Sequence, residues 1–130
     1  MDIVETIKFL ETGHDVEAQL EAFNKLNSLV TENDLPVLLE AIKSETSNFL
    51  VRELLSEPII NLAGAKAIPE LMAALQNNFA EGHDNDGFQL FLTELAEEDP
   101  KGVRAALEKL AKTATNAELD NINWLLEYCR

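Results

Sequence analysis

The sequence predicts an all-α protein in which antiparallel helical pairs stack on one another, and three observations carry that prediction. The apolar set Leu35, Leu38, Leu39, Ile42 returns thirty-three residues on as Ile68, Leu71, Met72, Leu75, and thirty-five beyond that as Val103, Ala106, Leu107, Leu110. Each copy has the i, i+3, i+4, i+7 spacing of one helix face, and a period of this size marks stacked helical units. The stretch from Asn61 to Leu75 ends an apolar helix at Gly64, turns over Ala65 to Ala67 and opens a new helix at Pro69. Strand signals are missing, since no segment alternates with period two for more than a few residues.

In chain order, Ile3, Val4, Ile7 and Leu10 form a short amphipathic helix that stops at Gly13. Asp15 caps a longer helix carrying Val16, Leu20, Phe23, Leu26, Asn27 and Val30. These two make an N-terminal capping pair, residues 1–32. Asn33 or Asp34 caps the next helix, with Pro36 just inside it. Three repeats follow, 33–64, 65–99 and 100–130. Their second helices are expected over Ser47 to Leu62, Asp86 to Ala96 and Asn116 to Cys129, each preceded by Asn, Asp or Ser suited to capping. Pro58 removes an internal hydrogen bond from the first of these and predicts a kink there. The periodicity places Leu38, Leu39, Ile42, Leu54, Leu71, Met72, Leu75, Leu92, Leu107 and Ile122 in the core.

The joint itself, Leu62-Ala63-Gly64 followed by Ala67-Ile68-Pro69-Glu70-Leu71 and an apolar pair, resembles the inter-repeat joint of short HEAT-like repeats, the kind also found in the phycobilisome lyase family. The resemblance covers about residues 34–129. It implies one domain over residues 1–130, a right-handed α-solenoid-like stack of about eight helices, with a groove lined by the second helices.

A chain of 130 residues suits one core. Twenty-four acidic against ten basic residues leave a net charge of -14. Such a field repels phosphate backbones and anionic lipid, so neither nucleic acid nor membrane is expected as a partner, whereas a basic protein or a cation is attracted. The N-terminus lacks a basic region followed by a long apolar one, and the expectation is a cytoplasmic monomer. Cys129 is the only cysteine, so no internal disulfide can form; it is read as a buried small hydrophobe or a frayed thiol rather than a nucleophile.

Gly-His-Asp occurs twice, at Gly13-His14-Asp15 and Gly82-His83-Asp84, both times between helices. Capping explains both copies: Gly ends one helix in a left-handed turn and Asp accepts amide hydrogens at the start of the next. The alternative for the second copy is a polar contact patch or a cation site built from Glu81, His83, Asp84 and Asp86, although the order of an EF-hand loop is absent. Trp124 and Tyr128, one helical turn apart and in line with Asp120, either close the open end of the stack or form an interaction hot spot. No nucleophile elbow, Gly-rich phosphate loop or metal-ligand spacing is present, so neither an enzyme nor a cofactor is expected. Some HEAT-like folds are DNA glycosylases with basic concave surfaces, and this chain has the opposite sign.

The expected partner-binding set is Glu53, Glu57, Glu94, Asp120 and Glu127 on the second helices, Glu81, Asp84 and Asp86 at the rim, and Trp124 with Tyr128. The corresponding function is a non-enzymatic protein-binding module, most concretely an acidic immunity or inhibitor protein that occludes the active site of a basic, nuclease-like toxin. The rival is a lyase-like or chaperone-like protein acting on a chromophore or a client, which needs an apolar cleft that the periodic core leaves little material to build.

Overall fold

The computed structural model describes residues 2–130, and among them there is helix and turn but no strand. The helices are α1 (Ile3–Thr12), α2 (Val16–Leu29), α3 (Leu35–Lys43), α4 (Phe49–Ala63), α5 (Ile68–Ala80), α6 (Asp86–Glu98), α7 (Pro100–Ala111) and α8 (Asn116–Leu126). Short 3-10 turns over Glu32–Asp34 and Gly64–Ala67 lead into α3 and α5.

Local chemistry accounts for most of the starts. Asp2, Asp15, Asn48, Asp99 and Thr115 each accept a backbone N–H from the first turn of the helix that follows. Thr115 does so reciprocally, its own N–H donating to Glu118 Oε1 at 2.9 Å. α3, α5 and α7 each carry Pro in the first turn, where its missing N–H costs nothing. Neither Asn33 nor Asp34 caps α3 as expected. Asp34 Oδ2 instead accepts from the Thr31 N–H at 2.9 Å, so the carboxylate turns back to close the 3-10 turn rather than forward into the helix.

α4 ends at Gly64, whose φ of +58° only glycine adopts without strain. It runs unbroken through Pro58 as a single α-helix, beginning after Asn48 rather than at Ser47. α8 stops at Leu126, short of Cys129, because the last residues tighten into turn hydrogen bonds such as Tyr128 N–H to Leu125 O.

α5 packs between α3 and α7, and α6 packs on both α4 and α8. α3 also packs on α4, α7 on α8 and α1 on α2. The expected middle pair is different: α5 packs principally on α3, α7, α8 and α4, and α6 on α4, α7 and α8. Beside the C-terminal end of α5 stands α4, whose Arg52 reaches Asn78 and Glu81.

One continuous apolar cluster runs from Ile7 and Leu10 to Ile122 and Leu125. Leu38, Ile42, Leu71, Met72, Leu75, Leu92, Leu107 and Ile122 are buried as predicted. Leu39 and Leu54 are only half-buried at the margin of that cluster. Leu39 follows buried Leu38 and Leu54 precedes buried Leu55, so the 100° step between successive residues carries each toward the edge of the apolar face.

Candidate partner-binding surface

The acidic surface is built around α4 and the loop joining α5 to α6. Gly82, with φ of +81°, reverses the chain after α5, and its N–H donates to Phe79 O. His83 N–H then donates to Asn78 O, which folds the loop back onto the helix end. The His83 ring stacks on Phe49 of α4, centroids 4.4 Å apart and 29° from parallel. Asp84 Oδ1 accepts the Asp86 N–H at 3.0 Å, a turn within the loop rather than a cap on α6.

Under this loop lies a cation. Arg52 is buried, its Nε donating to Asn78 Oδ1 at 2.6 Å and its Nη2 to Glu81 Oε1. His83 Nε2 stands 3.3 Å from the same Glu81 oxygen. The hydrogen bond from Arg52, followed by its charge, holds the Glu81 carboxyl below the usual range. Glu81 is therefore engaged internally, although its side chain remains nearly half exposed.

Glu53, the neighbour of Arg52 on α4, points to the start of α6. A Cβ at Gly87 would sit 3.3 Å from Glu53 Oε1, so the absence of a side chain there leaves room for the carboxylate. Burial raises the Glu53 pKa, the charges of Asp84 and Asp86 raise it further, and the Phe88 amide and His83 pull it back. Asp86 is raised as well, first by its hydrogen bond with Asp84 and then by the Asp84 charge. Glu53, Asp84 and Asp86 thus form one mutually repelling group at the N-terminus of α6, where the helix dipole favours negative charge.

Glu57, one turn along α4, accepts from Asn27 Nδ2 at 2.7 Å and so ties α2 to α4. Glu94, Asp120 and Glu127 are exposed, and among the described residues no ion pair engages them. Trp124 and Tyr128 are half-buried against the core cluster and meet edge to face, centroids 5.8 Å apart at 64°. Cys129 is buried with its Sγ facing Leu125 O at 3.7 Å, and burial pushes its thiol pKa up. The structure thus brings Glu53, Glu81, Asp84 and Asp86 together at one loop. It places Glu57 in a separate internal contact, and no hydrogen bond among the described residues joins that loop to Glu94, Asp120 or Glu127.

Two features escape a reading of the sequence. Arg52 and Asn78 fall on the apolar faces of α4 and α5, and their places there are the signal: a lone Arg after Val51, and an Asn three residues beyond Leu75. The second is an open cleft of about 550 Å³ along α1 and α2, floored by Ile3, Phe9, Ala22 and Leu26. Its signal is a second apolar row on α2, Ala18, Ala22 and Leu29, beside the core residue Leu26.

Among the described residues no three His, Cys, Asp or Glu side chains converge as a metal site. No helix among them is long and apolar enough to cross a membrane. No family model, curated protein or solved structure matches this chain.

Proposed function

We propose that this chain is a non-enzymatic binding module for a basic protein, and most concretely an acidic inhibitor of the immunity type that fills the active-site groove of a basic, nuclease-like toxin. The observation that carries the reading is the −14 charge together with carboxylates left free of internal ion pairs: Asp84, Asp86, Glu94, Asp120 and Glu127 are all exposed. The runs of contact α3–α5–α7 and α4–α6–α8 support a HEAT-like reading, in which α4, α6 and α8 would face a partner together. Electrostatic attraction of this size speeds encounter and makes it sensitive to salt.

The test is cross-linking of the chain in its own cell, followed by enzyme assays on the captured partner. A partner with a basic active-site groove, inhibited by the purified chain with salt-sensitive association, supports the reading. Reversing Glu94, Asp120 and Glu127 together to Lys should slow association about tenfold or more. Unchanged association and unchanged salt dependence in that variant would count against the acidic face.

The α1–α2 cleft favours a second reading, a lyase-like or chaperone-like protein that holds a chromophore or a client segment, because an apolar cleft of ligand size is present after all. Visible absorbance of the protein purified from its own cell separates the two. A bound pigment selects the second.

A further inference from the structure

We infer that the cleft along α1 and α2 is the seat of a cationic amphipathic helix supplied by the partner. The inference rests on the reading of a basic protein partner but moves the contact to a different face of the molecule. Ile3 and Phe9 of α1 and Ala22, Leu26 and Leu29 of α2 line an open apolar trough. Leu29 is 76% exposed, the most exposed large hydrophobic side chain among the described residues, and an unburied leucine in such a trough is apolar surface that an occupant would cover.

The shape suits a helix. Ala18 and Ala22 stand one turn apart on the α2 wall, and their small side chains let a helix backbone approach closely, with Leu26 and Leu29 continuing the row for its apolar face.

The charge selects the occupant. Among the described residues Asp2, Glu21 and Asp34 edge the trough against one cationic side chain, Lys25, so the rim is acidic like the molecule. A second copy of this chain would bring the same acidic rim and a charge of −14 against its own. A helix with leucines along one face and lysines flanking it meets both the floor and the rim.

The experiment titrates the intact protein with a fluorescein-labelled fourteen-residue peptide of leucine and lysine at amphipathic helical spacing. The controls are the same composition in scrambled order and a peptide with glutamate for every lysine. The expected result is saturable binding of the first peptide, at least tenfold weaker for either control. Leu29→Arg should weaken it at least tenfold, and Leu29→Ser, which leaves the charge unchanged, at least threefold. Leu90→Arg adds the same charge at an exposed leucine of α6 outside the trough and should leave the affinity within twofold. Equal loss in Leu29→Arg and Leu90→Arg, or equal binding of the scrambled peptide, overturns the inference. So does concentration-dependent dimerisation that Leu29→Arg abolishes. Binding that survives Leu29→Arg but is lost on reversing Glu94, Asp120 and Glu127 overturns the seat while leaving the basic partner standing. Failure of every cationic peptide to bind counts against both.

Discussion

The two Gly-His-Asp copies share three residues and little else. In the first, Gly13 has φ of −73°, an angle open to any residue, and Asp15 caps α2 through the Ala18 N–H at 3.2 Å. In the second, Gly82 has φ of +81°, His83 is pinned between Phe49 and Glu81, and Asp84 turns inward to the Asp86 amide. The glycines are needed for opposite reasons. A Cβ on Gly13 would meet Phe9 O at 2.7 Å and Gln19 Nε2 at 2.9 Å, whereas one on Gly82 would meet nothing within 4 Å. Close approach fixes the first and backbone conformation the second, so an identical tripeptide takes its role from what lies beneath it.

What lies beneath the second copy is Arg52, and removing it is the largest way to break the contrast. Arg52→Ala should destabilise the protein by about 2–3 kcal/mol, from the buried Asn78 Oδ1 left without its donor and the emptied space, with nothing assigned to Glu81, which water can serve. Denaturant titration reads it directly. His83 should at the same time lose its fixed stacking on Phe49, visible as a shift of its imidazole resonances, while those of His14 stay put.

Next in size is Gly13→Ala, expected to cost about 1–3 kcal/mol, because the methyl must displace the Phe9 carbonyl or the Gln19 amide bonded to it at 2.9 Å. Gly82→Ala should cost about 1 kcal/mol from the left-handed backbone alone, and Gly82→Asn less, since Asn tolerates that region. Were Asn as harmful as Ala at position 82, or Asn harmless at position 13, the assignment of the two causes would be reversed.

The smallest effect is in pH. Glu53 and Asp86 hold protons more tightly folded than unfolded, by burial and the Asp84 charge for Glu53 and by the shared hydrogen bond for Asp86. Just above the ordinary carboxylate range the folded chain therefore binds more protons than the unfolded one, and stability falls as pH rises through that window. Glu81 and Glu118 are lowered by Arg52 and by the Thr115 amide, so what they contribute is lost as pH falls through their folded values. The maximum should lie at mildly acidic pH, and Glu53→Gln should flatten the slope above it. An unchanged slope in unfolding experiments run across that window would remove Glu53 from the cause.

The helices were legible because their signals are local. Repeated apolar spacing, an Asp, Asn or Thr at most starts, and Gly64 with Pro69 at the central joint are all read within a turn or two. Arg52 was hidden because its meaning depends on Asn78 and Glu81, which belong to another helix and its loop. Glu57 looked like a groove carboxylate for the same reason, since Asn27 lies on α2 and no spacing along α4 announces it. The cleft was missed because a row of two alanines and two leucines on α2 reads as ordinary helix-forming sequence, and only the neighbouring α1 makes it a trough.

The end of α1 bears on the order in which the chain takes shape. Its closing carbonyls are served from elsewhere: Gln19 Nε2 donates to Phe9 O at 2.9 Å, and Asn48 Nδ2 reaches Glu11 O at 3.2 Å across 37 residues. A ten-residue helix is too short to persist alone in water. During synthesis α1 is made before both side-chain donors: the Phe9 carbonyl has the Gly13 N–H at once and Gln19 soon after, whereas the Glu11 carbonyl waits for Asn48 and the docking of α4. The apolar trough that α1 shares with α2 therefore takes its final shape only when α4 has closed on the end of α1.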